Sequence, residues 1–162
     1  MAHDIPPFWA HNEINRPGPV LFLQRKHPGA ILPTRGSKYS AGYDLYANEA
    51  TALFSGQRKL INTGLSVFIP YGCYGRIAPR SGLAVKGVDV CAGVIDSDYR
   101  GEVKVLLHFP YSPSSPNDRI QINRGDRIAQ LILEKYLHCD IVEQDELDMT
   151  ERGEGGFGST GK

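Results

Sequence analysis

From Val20 onward the apolar positions come in short runs of Val, Ile, Leu, Phe and Tyr, cut at brief intervals by Gly, Pro, Asn and Asp. That rhythm predicts strands joined by turns. It is clearest over Glu102 to Phe109, where Val103, Val105, Leu107 and Phe109 point one way while Glu102, Lys104 and His108 point the other, so that one face is core and the other is not. Leu65 to Ile69 and Ile128 to Leu137 read as further strands, the second with apolar residues on both faces, as in a strand covered on both sides. No window carries a helical stripe over three turns. One short helix is predicted after Arg80, with Ser81 as N-cap, Leu83, Ala84 and Val85 within it and Gly87 ending it. Pro110 to Arg119, with three prolines and three serines, is a loop between strands.

The ends differ from this middle. Residues 1–19 hold Pro6, Pro7, Pro17 and Pro19 without apolar periodicity and read as a flexible extension. Residues 20–149 form one β domain, and residues 150–162 a glycine-rich tail. A chain of 162 residues suits a single core. Eighteen basic and eighteen acidic side chains cancel, so no net field draws the molecule to nucleic acid or to an anionic membrane, and phosphate recognition would have to be local. No apolar run reaches the roughly 18 to 20 residues that span a bilayer. Cys73, Cys91 and Cys139 are odd in number and widely spaced, which suits a reducing compartment, and the expectation is an intracellular protein, cytoplasmic or nuclear.

Five segments carry chemistry. The tail, Arg152-Gly-Glu-Gly-Gly-Phe-Gly-Ser-Thr-Gly-Lys162, combines backbone N–H groups freed by glycine with hydroxyls and cations, which suits phosphate. It matches G-x-x-x-x-G-K, but no helix follows to complete a P-loop. Phe157 among glycines can stack on a base, although composition alone favours a solvated tail. Arg80, Ser81 and Gly82 place a guanidinium, a hydroxyl and free N–H groups at a helix start, an anion site or an ordinary capped turn. Asp44, within Ala-Gly-Tyr-Asp-Leu-Tyr-Ala, is either a turn carboxylate or a water-linked partner of magnesium. Val90 to Ile95 and Glu102 to Phe109 read as a hairpin whose acidic turn carries Asp96, Asp98 and Tyr99. There Asp96, after two apolar residues, can be desolvated and act as a general base, or both aspartates can simply shape the turn. Gln130, in Gly-Asp-Arg-Ile-Ala-Gln, puts an amide into an apolar strand and needs a partner there.

In order and nearly letter for letter, AGYDLYA, GRIAPRSGLA, GVIDSDYRG, GDRIAQL and RGEGGFGSTG resemble the five motifs of the trimeric dUTPase family, over Leu32 to Gly161. The resemblance implies an all-β, distorted jelly-roll-like barrel with one short helix, in a homotrimer whose active sites are each built from all three subunits and closed by a C-terminal tail. It implies hydrolysis of dUTP to dUMP and pyrophosphate with Mg2+ as cofactor, an activity that limits uracil incorporation into DNA and supplies dUMP for dTTP synthesis. Asp44 would hold the metal through water. Arg80, Ser81, Gly82 and Gln130 would hold phosphate oxygens, and Asp96 would be the base for the attacking water. Tyr99 would pack on the deoxyribose, and the backbone around Val90 to Gly101, Val90 and Gly93 included, would read uracil. Arg152 would bind the terminal phosphate, Phe157 would cover the base, and Gly158, Ser159 and Thr160 would wrap the β and γ groups.

Two other readings compete. One is dCTP deamination on the same fold, against which Asp96 and Tyr99 weigh; the other is a non-catalytic scaffold, against which the intact Asp96 and tail weigh.

Overall fold

In the computed structural model, which describes residues 19–156, eleven short strands and one helix follow in chain order. They are β1 (Phe22–Arg25), β2 (Tyr43–Tyr46), β3 (Thr51–Phe54), β4 (Arg58–Asn62), β5 (Leu65–Phe68), β6 (Cys73–Ala78), α1 (Ser81–Ala84), β7 (Asp89–Cys91), β8 (Val94–Ile95), β9 (Lys104–His108), β10 (Arg119–Ile122) and β11 (Arg127–Lys135). Every pairing is antiparallel, and the strands group as β1-β5, β10-β3, β2-β11-β6-β8 and β4-β9-β7. Neighbours in space are mostly distant in sequence, as in a jelly roll rather than a meander.

The alternation expected around β9 is present. Val103, Val105 and Leu107 are buried, and Phe109 packs at the margin of the same core. Opposite them Ile61 of β4, Leu45 of β2, Leu53 of β3, Ile77 of β6 and Leu131 of β11 complete one apolar interior. β11 is the central strand of its sheet. Its inward side is Ala129, Leu131 and Leu133, while Gln130, Ile132 and Glu134 lie on the other face and are only half-covered. It ends at Lys135, so Tyr136 and Leu137 lie past the strand expected to include them.

Two local expectations shift. The helix begins at Ser81, and the cap position belongs to Arg80, extended at φ −101° and ψ 136°, with no side chain capping the first turn. Proline at position 79 disfavours helical backbone at Ala78, the last residue of β6, and Arg80 then makes the extended link into the helix. The far end is as expected. Gly87, at φ +81°, donates to Ala84 O and Val88 donates to Leu83 O, the paired bonds of a left-handed glycine stop.

The hairpin from Val90 to Phe109 is split between two sheets. β7 pairs with β9, but β8 pairs with β6. The change of sheet occurs at Ala92 (φ +56°) and Gly93 (φ +117°), whose carbonyl accepts the Ile77 N–H at 2.7 Å. A Cβ on Gly93 would stand 2.7 Å from Ile77 O, so this crossing requires glycine.

Candidate active site

Three strands bring together residues that stand far apart in the chain. Asp44 on β2 lies opposite Gln130 on β11, and Gln130 lies opposite Ala78 on β6, so one row across the sheet runs toward Arg80. Asp44 is buried, and its Oδ1 takes the Arg80 Nε–H at 2.8 Å. Arg127 Nη1 stands 3.6 Å from Asp44 Oδ2, and Arg127 O accepts Arg80 Nη1 at 3.3 Å. The amide need of Gln130 is met by Pro79 O, to which Nε2 donates at 2.9 Å. Gly42 makes that possible, because a Cβ there would collide with the Gln130 amide. The cluster therefore holds one carboxylate against two guanidiniums beside an open turn.

Outside it lies a basic cleft of about 520 Å³, bounded by Arg80, Gly82, Leu83, Lys86, Gly125 and Arg127 among others. Gly82 of its lining and the neighbouring Ser81 are exposed, and a Cβ on Gly82 would meet nothing within 4 Å. Arg127 was not among the residues singled out from the sequence. Its signal was its place in the Gly-Asp-Arg-Ile-Ala-Gln segment, where a turn and a strand start compete to explain a cation.

Asp96 and Tyr99 sit elsewhere on the molecule. With Leu60, Val94, Ile95, Glu102 and Lys104 they bound a second cleft of about 280 Å³, and Asp96 also borders an aromatic one of about 720 Å³ with Tyr71, Tyr74, Tyr136 and His138. Neither shares a residue with the basic cleft. Asp96 is exposed in the single chain rather than desolvated, because β8 is a two-residue edge strand that delivers it to the sheet margin. Its carbonyl accepts the Tyr99 N–H at 3.1 Å, which closes the turn. Tyr99 lies over Gly101 and donates to Glu102 O at 3.1 Å. Val90, on β7, is half-buried against the core.

Arg152 is exposed, and its Nε donates to Gly155 O at 2.8 Å within a run of tight turns. Phe157, Gly158, Ser159 and Thr160, like most of the extension over 1–19, lie outside the described residues. Among the described residues no three His, Cys, Asp or Glu side chains converge as a metal cage. Asp44 alone suits a metal that arrives with a phosphate-bearing ligand and keeps its waters. Its Oδ2 faces Arg127 at 3.6 Å, too far for a hydrogen bond, and so retains lone pairs for a metal-bound water.

A family model described as dUTPase matches residues 29–161. The chain belongs to the dUTPase family. Its similarity to the deoxyuridine 5'-triphosphate nucleotidohydrolase of Candida albicans is 54% identity over 145 residues, covering 88% of each chain. The enzyme of the same name from Rattus norvegicus is 53% identical over 134 residues, 82% of this chain and 63% of that one. In three dimensions the chain resembles a Staphylococcus bacteriophage 80alpha dUTPase mutant solved with dUpNHpp. The TM-score is 0.81 at 27% identity, with 88% of this chain and 99% of the other covered. This dUTPase is thus a dUTP nucleotidohydrolase on an all-β, jelly-roll-like scaffold.

Proposed function

We propose that this dUTPase works as a homotrimer in which the Asp44–Arg80–Gln130 cluster of one subunit meets the Asp96–Tyr99 turn of a second and the tail of a third, with Mg2+ bound alongside the triphosphate. The observation that carries the reading is the separation of the two halves. Each half is well formed, yet the clefts that they line share no residue in one chain. A second observation supports association. Beyond β11 the backbone of residues 136–149 forms no strand or helix, and Leu137, Ile141, Val142, Leu147 and Met149 along it are exposed at 71% or more. Apolar side chains in that number favour burial against another copy, and the same arm would carry Arg152 away from its own sheet.

In this mechanism Arg80, the Ser81 hydroxyl, the Gly82 N–H and the Gln130 amide hold phosphate oxygens, and Arg152 holds the terminal phosphate. Gly82 is glycine although its own chain leaves room for a side chain, as expected where a ligand approaches the backbone. Asp96 accepts a proton from a water in line with the α-phosphorus. That water's oxygen forms the new P–O bond while the bond to the bridging oxygen of the leaving pyrophosphate breaks. Tyr99 packs on the deoxyribose, the backbone from Val90 to Gly101 reads uracil, and Phe157 covers the base while Gly158, Ser159 and Thr160 wrap the outer phosphates. Bound magnesium, held through water by Asp44, supplies charge neutralisation on the triphosphate. The consequence for the cell is a low dUTP level, with less uracil entering DNA and dUMP made available for dTTP synthesis. Pyrophosphate release from dUTP, dTTP, dCTP and UTP, each with magnesium and then with excess chelator, tests this. Release from dUTP alone that stops with chelator is expected, and unchanged release in chelator would remove the metal from the mechanism.

A further inference from the structure

The Asp96–Tyr99 turn must hold a base and a sugar platform in register, yet little of its own structure restrains it. On its ascending side β8 contributes two paired residues. On its descending side Ser66 Oγ donates to Gly101 O at 2.9 Å, and Glu102 Oε1 accepts the Gly64 N–H at 2.8 Å. Between these anchors, beside the Tyr99 N–H bond to Asp96 O and the Tyr99 hydroxyl bond to Glu102 O, Arg100 makes the remaining contacts. Its Nη1 donates to Ser97 O at 2.7 Å and to Tyr99 O at 3.0 Å, bracketing the turn. The same guanidinium lies with its carbon 4.8 Å from the centroid of the Phe68 ring on β5.

We propose that Arg100 is a positioning residue for catalysis, a clamp that ties the carbonyls of the turn to the Phe68 ring and so sets where Asp96 and Tyr99 stand. The inference rests on the roles given above to those two residues. Only a planar guanidinium serves both ends at once, its face toward the ring and its edge toward two carbonyls. A lysine ammonium, being a point charge, sits over the ring or at the carbonyls. A misplacement of the order of 1 Å at a reacting group costs about 100-fold in rate, so a clamp of this kind acts on turnover more than on affinity.

The test compares wild type with Arg100→Met, which keeps the stem length and an apolar contact to Phe68, and with Arg100→Lys, which keeps the charge. Both variants are expected to lose about 10- to 100-fold in kcat with KM for dUTP changed less than about threefold. They should also prefer dUTP over UTP less strongly, and exchange the Tyr99 amide hydrogen, which Asp96 O accepts across the turn, faster. A kcat within about twofold of wild type in Arg100→Met would overturn the proposal, and so would full recovery by lysine, which would reduce the role to charge. If the methionine variant does not fold, the lysine variant decides alone. Loss of activity in wild type itself would instead overturn the assigned roles of Asp96 and Tyr99, while the exchange measurement still reads the clamp.

Discussion

Asp96 and Gln130 illustrate how differently single residues are fixed. Gln130 is held by geometry on three sides, with Asp44 and Ala78 as register partners and Pro79 O as acceptor, whereas Asp96 stands exposed on a short turn. Replacing Asp96 by Asn removes a proton acceptor and leaves the phosphate contacts intact. Turnover is expected to vanish while binding of a non-hydrolysable dUTP analogue survives, as calorimetry would show. On the outward face of the β6–β11 pair, Glu134 is held by Tyr74 and Arg76. Its carboxyl lies below the ordinary range, chiefly because the Tyr74 hydroxyl donates to it and secondly because Arg76 does, at 2.6 Å. A lowered folded-state value means that the stabilisation is present above the unfolded carboxyl's pKa of about 4.3 and is lost as pH falls through the folded one. Melting temperatures of wild type and Glu134→Gln should accordingly differ at neutral pH and converge in acid, and a constant gap across that range would contradict this. Asp44, Arg80 and Gln130, which meet in the fold, were legible in the sequence, and Arg127 was not. A cation at a strand start is explained locally, and only the pairing of β11 with β2 reveals that it faces Asp44.

Elements were legible where the burial pattern is local. The alternation in β9 showed its core face directly, because Val105 and Leu107 point inward between Lys104 and His108, with Leu106 the one apolar residue on the outward face. Leu107→Ala, which empties a fully buried site there, should cost about 2–5 kcal/mol in urea unfolding. The hairpin was less legible. Nothing between Val90 and Ile95 says that β7 and β8 join different sheets, since the partners that decide it, β9 and β6, lie elsewhere in the chain. Gly93→Ala tests the crossing. It sets a methyl 2.7 Å from Ile77 O at φ +117°, and a loss of about 1–3 kcal/mol is expected together with slower turnover, since Asp96 follows three residues on. Ser81 stands one position inside the helix, the cap falling on the extended Arg80 without a side-chain hydrogen bond to mark it in the sequence. Deleting residues 152–162 takes away the proposed closing element and no core residue. Hydrolysis should slow severely while sedimentation still reports the assembled oligomer, and monomers would argue against a purely closing role.

Across the whole molecule, neutrality of charge, a single apolar interior and a split set of functional groups fit together. The core lies inside one chain and supplies its stability, while the groups proposed for catalysis are distributed along its rim. A negative charge placed at the most exposed point of the arm, Ile141→Asp, is expected to weaken the proposed subunit association while the isolated chain keeps its β-sheet spectrum. The lack of any residue common to the basic cleft and the Asp96–Tyr99 cleft has a genetic consequence. Two alleles, one with Asp96→Asn and one lacking residues 152–162, would each be silent alone. Under the proposed trimer, their products co-expressed in one cell would assort into mixed trimers, each of which retains one site with an intact base from one product and an intact tail from the other. Two dead genes would thus complement each other, and the dominance of any loss-of-function allele would depend on which segment it damages.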